Sequence, residues 1–189
     1  MQLVITENIS LDGVVEQNEQ TGEWFSVASS DADTSDINQA LQEMMGQEDA
    51  QLYGRKTFEA MRGYWPHQTD DATGVTDHLN TVEKYVMSST MEHPEWENST
   101  VLHGDLHDEV RKLKDRPGGN LGVTGSITVC HNLISAGMVD EYRLLVYPVV
   151  VGQGRRLFEP TQGPTIRNLK LLNAKHFQSG VVLLTYESV

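Results

Sequence analysis

The sequence predicts an α/β fold: a mixed, mostly parallel sheet with helices on its faces and an antiparallel part near the carboxyl end. Strand-like and helix-like segments alternate along most of the 189 residues, and only strands follow. Two of the strands end in glycine turns that open helices, which is how parallel strands are usually connected. A chain of this length is expected to form one domain, 1–189, with a substantial core.

The first elements are a strand, a polar loop and a helix. The strand is predicted over Gln2 to Asn8, and the loop runs from Ser10 to about Thr34. Thr34 or Ser35 can cap the helix that follows. The apolar residues on one face of that helix are Ile37, Leu41, Met44 and Met45.

The middle of the chain reads as two strands and a helix around a surface loop. A strand over Ala50 to Tyr53 precedes the Gly54 turn and a helix over Lys56 to Arg62. Residues 63–75 are predicted to be a surface loop, and the next strand spans Lys84 to Ser88. A short strand is expected at 101–103.

Asp105 has the side chain and the position to cap a helix over Leu106 to Lys114. A strand over Asn120 to Thr124 then leads into a helix that begins near Ser126 and ends at Gly137. The predicted strands that follow are a long apolar strand over 141–151, interrupted by a proline at 148, and two antiparallel strands over 165–173 and 175–187.

Two glycine turns suggest phosphate binding. Gln51 to Phe58 and Leu121 to Thr128 each read as a buried strand, a glycine turn and a helix start. A helix N-terminus presents unpaired N–H groups and the positive end of its dipole, which attract phosphate. One such turn fits an ordinary strand-to-helix connection, whereas two favour a single ligand with several phosphates, such as a dinucleotide.

Composition excludes several classes of function. A formal charge of −13 and a pI near 4.8 argue against binding to nucleic acid or anionic membranes. Cys130 is the only cysteine, so no intrachain disulfide can form, and its apolar setting favours a buried hydrophobe over a nucleophile. His103 and His107 lack the further ligands of a zinc site, so no metal is expected. With no apparent targeting or membrane-spanning segment, the protein is expected in the cytoplasm.

The order of motifs along the chain resembles a known family. The motifs are Ser10–Gly13, Tyr53–Met61 with Tyr64 and Trp65, Val86–Thr90, Val123–Ser126, and Val139–Phe158. Together they resemble the dihydrofolate reductase superfamily. They are most similar to the branch that includes the C-terminal reductase domain of the bifunctional riboflavin-biosynthesis deaminase/reductase, the RibD C-terminal domain family.

This resemblance implies a single dihydrofolate reductase-like domain with a cleft for NADPH, a small-molecule substrate and a homodimeric assembly. Hydride would pass to a C=N or C=O group of a pterin-like or riboflavin-precursor-like compound. Arg55, together with Ser88 and Ser89, would bind the adenosine 2′-phosphate, and Asn8 and Val15 would lie near the nicotinamide. The remaining cofactor residues implied are Gly54, Lys56, Thr57, Thr124, Gly125, Ser126, Ile127 and Thr128.

The reaction also requires a proton and a pocket for the substrate. Asp12, or a water that it orients, is the predicted proton source, although a turn role in Leu11-Asp12-Gly13 fits equally well. Trp24, Phe25, Tyr64 and Trp65 could form a flat aromatic pocket, with ordinary packing as the alternative. Two other hypotheses stay open: a nucleotide- or ligand-binding protein on this fold without turnover, and a structural domain whose glycine turns are only turns.

The sequence departs from its relatives at the second glycine turn. Dihydrofolate reductases have a Gly-Gly pair there, where this chain has Gly125-Ser126. The riboflavin-pathway reductases usually carry an acidic residue just before the turn, where this chain has Thr124. The resemblance therefore predicts a reductase without identifying its substrate.

Overall fold

A computed structural model describes residues 1–22, 24–25, 33–69, 71, 73–159 and 167–189. The strands are β1 (Gln2–Ser10), β2 (Glu48–Gly54), β3 (Glu83–Met87), β4 (Ser99–Leu102), β5 (Asn120–Val123), β6 (Glu141–Tyr147), β7 (Leu169–His176) and β8 (Val182–Ser188). The helices are α1 (Ser35–Met45), α2 (Arg55–Tyr64), α3 (Val75–Thr81), α4 (Leu106–Lys114) and α5 (Ile127–Ser135), with a 3₁₀ turn at Trp65–His67.

The strands form one sheet in the order β4-β3-β2-β5-β1-β6-β8-β7. The first six strands in this order pair in parallel, whereas β8 pairs antiparallel with both β6 and β7. The predicted fold class, a mixed and mostly parallel sheet with an antiparallel C-terminal part, is therefore confirmed. Parallel strands cannot be joined by a tight turn, and helices lie in the connections between them except the one from β3 to β4.

The helices cover both faces of the sheet. Leu52 and Tyr53 are adjacent in β2, so their side chains point to opposite faces. Leu52 packs in the main core cluster, which also takes residues from α4 and α5, whereas Tyr53 packs against side chains of α2 and α3. Helix α1 lies on the Tyr53 side, where it contacts α3 and packs against alternate residues of β6. Helices α2 and α5 thus lie on opposite faces.

The predicted elements are largely present, with shifted ends. Strand β1 continues two residues further than expected, and β6 stops at Tyr147 because proline follows and cannot donate a ladder hydrogen bond. Part of the region predicted as a loop after Gly63 is instead a 3₁₀ turn. Helix α3 was not predicted at all, since seven residues are too few for a clear apolar period.

A buried lysine attaches α3 to the sheet. The side chain of Lys84 is fully buried, and its Nζ donates to the carbonyl oxygens of Leu79 at 2.6 Å and Val82 at 2.8 Å. These are carbonyls at the end of α3, which have no partner within the helix. The ammonium also lies 4.8 Å from the centre of the Trp96 ring. Burial lowers the pKa of Lys84 to about 8.

Among the helices of the described residues, none has both the length and the apolar character needed to cross a bilayer.

The cap predicted for α4 is present and can be tested. Asp105 Oδ1 accepts hydrogen bonds from the backbone N–H groups of His107 at 2.9 Å and Asp108 at 3.2 Å. Asp105→Ala should lower the free energy of unfolding by about 1 kcal/mol, as measured by urea denaturation, because it leaves these donors without an acceptor. Asp105→Asn keeps a side-chain acceptor and should stay close to wild type. Equal losses in the two variants would show that the cap does not stabilise the fold.

Candidate functional site

The strand order creates a crevice between β2 and β5. These strands are neighbours and run parallel, so their carboxyl ends lie side by side at one edge of the sheet. Helix α2 follows β2 onto one face, and α5 follows β5 onto the other. In open α/β sheets, ligands bind at the carboxyl edge where successive helices leave on opposite faces. The two predicted phosphate turns, at Gly54 and Gly125, lie at this point.

The two turns are in close contact. A Cβ atom at Gly54 would overlap Ser126 Oγ, closer than real Cβ atoms approach, and would lie 3.1 Å from Ser126 Cβ, which is tighter than most Cβ contacts. A Cβ atom at Gly125 would lie 3.2 Å from Thr57 Oγ1, and Gly125 also has a φ of 127° that favours glycine. The Gly125–Ser126 peptide bond is cis. Glycine at 54 therefore allows the starts of α2 and α5 to lie against each other.

Neither of these helix starts has a side-chain cap. Gly54 and Ser126 occupy the capping positions of α2 and α5, and no cap hydrogen bond from a side chain forms at either. Helix α4, in contrast, is capped by Asp105. The first N–H groups of α2 and α5 therefore lack a side-chain cap and are available to a ligand.

A cleft of about 1110 Å³ opens at these helix starts. Most of the predicted site residues line it. The cofactor-type residues in its wall are Val15, Gly54, Arg55, Lys56, Thr57, Thr124, Gly125, Ser126, Ile127 and Thr128, and the predicted pocket aromatics in its wall are Phe25, Tyr64 and Trp65. A volume of this size can hold a dinucleotide together with a small substrate.

The charges in the cleft wall favour an anionic ligand at the start of α2. The Arg55 guanidinium pairs with Glu59 one turn along the helix, at 3.0 Å, and Arg155 pairs with Glu16 at 2.9 Å. Lys56 forms no ion pair with any residue that the structure describes. In a chain with 14 basic against 27 acidic residues, a cation without an ion-pair partner at a helix N-terminus indicates anion binding.

The cleft also has an apolar and aromatic section. Tyr64 and Trp65 stack edge to face with ring centroids 5.0 Å apart, and the Trp65 Nε1–H donates to Met61 Sδ at 3.0 Å. Met61, Met87 and Phe25 also line the cleft. Flat heterocycles bind well against such surfaces.

Five predicted residues do not line this cleft, four of them on β1, after β3 and in the core and the fifth, Asp12, in a loop. Trp24 is buried, packs edge to face on Tyr147, and donates from Nε1 to the Glu16 carbonyl, so it belongs to the core. Asn8 points to the face of β1 opposite Glu7, which does line the cleft. Ser88 Oγ accepts from the backbone N–H of Met91 at 3.0 Å, in the turn that also contains Ser89. This turn leads to a smaller pocket that contains Arg55 and Thr90.

Asp12 connects two loops and also lies outside the cleft lining. Its carboxylate accepts hydrogen bonds from Ser10 Oγ at 2.7 Å and from the backbone N–H groups of Val151 at 3.0 Å and Gly152 at 2.9 Å. Chiefly through the Ser10 hydroxyl, these bonds lower the pKa of Asp12 to about 2. A carboxyl group that is ionised at neutral pH has no proton to give. The structure supports the turn role and does not support the Asp12 carboxyl itself as the proton source, while a water oriented by Asp12 stays a prediction.

Glu7, which lines the cleft from β1, was not predicted from the sequence. It is partly exposed in the cleft wall, on a sheet face of otherwise apolar residues, and its described partner is the Cys130 thiol, whose Sγ lies 3.6 Å from Oε1. Burial raises the pKa of Glu7 to about 8, and the hydrogen bond from the thiol partly offsets this rise. A signal was present in the sequence, because Glu7 replaces an apolar residue in the inward-facing series Leu3, Ile5, Ile9.

Comparison with known proteins assigns the chain to a family. The model of the RibD C-terminal domain family matches residues 2–183. The Bacillus subtilis (strain 168) protein YyaP is 31% identical over 188 residues, which are 98% of this chain and 94% of YyaP.

Solved structures show the same fold at lower identity. A Shewanella sp. PV-4 protein, named as a candidate riboflavin biosynthesis protein, superposes with a TM-score of 0.74 at 21% identity, over 100% of this chain and 99% of its own. The Thermotoga maritima diaminohydroxyphosphoribosylaminopyrimidine deaminase/5-amino-6-(5-phosphoribosylamino)uracil reductase matches with a TM-score of 0.66 at 15% identity. That match covers 100% of this chain and 56% of the Thermotoga chain. The predicted fold family is confirmed, and the chain belongs to the RibD C-terminal domain family.

Proposed function

We propose that the protein is an NADPH-dependent reductase that transfers hydride to a C=N or C=O group of a small heterocyclic or sugar-amine compound. The observation that carries this proposal is the contact between two uncapped helix starts at one cleft. Two positive helix ends side by side suit the two linked phosphates of a dinucleotide. Membership of the RibD C-terminal domain family, together with the likeness to a Thermotoga maritima protein named as a deaminase/reductase, supports hydride chemistry.

The residues present fit such a cofactor. The first N–H groups of α2 and α5, with the Thr57 and Ser126 hydroxyls, would bind the pyrophosphate. The smaller pocket beyond α2, shared with the cleft through Arg55, is placed for the adenosine end and its 2′-phosphate. When bound, the cofactor supplies the hydride. The protein would orient the two reactants and exclude water with its aromatic and methionine side chains.

The aromatic section of the cleft supports a flat substrate. Tyr64, Trp65 and Phe25 are placed to pack against a planar ring, and Met61 and Met87 add adaptable apolar surface. A pterin or a pyrimidine precursor of riboflavin has this shape. The rival function, ligand binding without turnover, would use the same cleft.

One assay separates these two functions. Purified protein with NADPH should be given dihydrofolate, 5-amino-6-(5-phosphoribosylamino)uracil or small ketones in turn. Loss of the absorbance of the reduced nicotinamide with one of them establishes a reductase. Tight NADPH binding without oxidation by any of them favours the binding protein, and absence of binding overturns both.

The homodimer stays a prediction. Strand β7 is one of the two edge strands of the sheet, and Leu171 and Leu172 on it are about half exposed. Exposed edge strands readily pair with another chain. Sedimentation velocity would show whether the protein is a dimer or a monomer.

Arg55 is expected to distinguish the two nicotinamide cofactors. Its ion pair with Glu59 is exposed and therefore weak, so a phosphate dianion can replace the carboxylate. Arg55→Ala should weaken NADPH binding about tenfold, by removing a charge-assisted contact, and NADH binding less than about threefold. Fluorescence titration gives both constants. Arg111→Ala, at another exposed helical ion pair, is the control and should change neither. Equal losses for NADPH and NADH would remove Arg55 from recognition of the 2′-phosphate.

The contact between the two glycine turns predicts that a second substitution restores binding lost through a first. Gly54→Ala keeps an ordinary backbone conformation, with φ −77° and ψ 153°, so its only conflict is with the side chains opposite. It should weaken NADPH binding at least about tenfold by pushing the two helix starts apart. Gly54→Ala with Ser126→Gly removes both close contacts with Ser126 and should restore the affinity to that of Ser126→Gly alone, which lacks one hydroxyl of the proposed pyrophosphate site. Ser126→Gly alone is the matched control. No recovery in the double variant would show that close approach of the turns is not what the ligand requires.

A further inference from the structure

Hydride transfer alone does not complete the proposed reaction. When hydride adds to a C=N or C=O carbon, the nitrogen or oxygen gains an electron pair and needs a proton. Two carboxyl groups line the described part of the cleft, Glu7 and Glu16. A proton donor must hold its proton near neutral pH and must face the ligand.

Glu16 does not meet the first condition. Its oxygens accept from the backbone N–H of Arg155 at 3.1 Å and from Arg155 Nε at 2.9 Å. These hydrogen bonds, the backbone one first, lower the pKa of Glu16. Glu16 therefore stays ionised and holds the cleft rim to the segment after β6.

Glu7 meets both conditions. It lies on β1, at the register position opposite Leu144 of β6, on the sheet face that is otherwise covered by apolar side chains. No described cation contacts it, and the thiol of Cys130 is a weak hydrogen-bond donor. A buried carboxyl without a strong partner keeps its proton, because water no longer stabilises the charged form.

We propose that Glu7 is the catalytic acid of this cleft. The inference rests on the proposed reductase function. When bound, the reduced nicotinamide would supply the hydride that forms a C–H bond with the substrate carbon. The π electrons of the C=N or C=O bond would pass to nitrogen or oxygen, which would take the proton from the Glu7 carboxyl. The oxidised cofactor and the reduced substrate would leave a Glu7 carboxylate, which would regain a proton from solvent.

The groups around Glu7 determine its titration. Cys130 faces it from α5, and its own pKa is raised by burial and by the neighbouring Glu7. Tyr142 lies on the same sheet face from β6, and burial also raises its pKa. Across the cleft, Arg55, Lys56 and the Glu16–Arg155 pair contribute charges farther out. Near neutral pH the immediate surroundings of Glu7 thus remain uncharged.

The burial of Glu7 should also make the stability of the fold depend on pH. The pKa of Glu7 is raised from 4.5 to about 8 on folding, so the unfolded chain releases its proton at lower pH than the folded chain. Relative to the Glu7→Gln variant, which has no proton to release at this position, wild type should lose stability progressively between about pH 4.5 and 8. Below this window the difference between the two should not change with pH. A purely structural glutamate in an ion pair would show the opposite trend.

The test compares wild type, Glu7→Gln and, as control, Glu43→Gln, an exposed glutamate of α1. The probe is whichever of the candidate substrates wild type reduces fastest. Glu7→Gln should lower kcat at least about a hundredfold and leave the NADPH dissociation constant within about threefold. In wild type, kcat should fall above about pH 8 because Glu7 loses its proton there. The residual kcat of Glu7→Gln should not fall in this range. Glu43→Gln should match wild type throughout.

Infrared difference spectra provide a readout that needs no substrate. Wild type should show a protonated carboxyl band that titrates near pH 8, and Glu7→Gln should lack it. Three results would overturn the role of Glu7 and leave the reductase function standing. They are a wild-type kcat in Glu7→Gln, a fall of kcat at high pH that is the same in this variant as in wild type, and a wild type without the carboxyl band. A wild type that binds NADPH and oxidises it with no candidate substrate overturns the reductase and the acid together.

Discussion

The contact between Gly54 and Ser126 is the constraint on which the site depends. Strands β2 and β5 are hydrogen-bonded neighbours, so α2 and α5 must begin close together. A side chain at Gly54 would overlap the Ser126 hydroxyl and crowd Ser126 Cβ and Val129, so residues at the start of α5 would have to shift. With glycine there, two helix dipoles point at the same space, and a strongly acidic protein obtains a positive surface for an anion.

Glu7 of β1 and Asp12 of the following loop show how the surroundings of a carboxyl group determine its protonation state. Asp12 receives three hydrogen bonds, stays charged and joins the loop after β1 to the loop after β6. Glu7 receives one weak bond in an apolar wall and stays neutral. Folding is favoured by the first arrangement and opposed by the second. Residues whose burial at a cleft opposes folding are candidates for catalytic groups. For this reason we propose Glu7 as the catalytic acid.

Sequence reasoning predicted the parts of this structure that depend on local signals. The glycine turns, the Asp105 cap and the apolar strands follow from short-range rules, and the order of motifs predicted the family. The positions of Trp24 and Asp12 could not be predicted, because their partners Tyr147 and Val151 are more than a hundred residues away in the chain. Glu7 was overlooked although it interrupts an apolar alternation, since one polar residue in a strand is compatible with either face of the sheet.

The distribution of ion pairs adds an argument for the position of the ligand. Most arginines and lysines of the described chain already have a partner, such as the Arg143–Glu141 pair at the sheet and Arg111–Asp108 on α4. Lys56 has no such partner, and it stands at the start of α2 in the cleft wall. In a chain with 27 acidic residues, a carboxylate could easily have been placed beside it. The proposed anion site at α2 would therefore use a lysine as well as backbone dipoles.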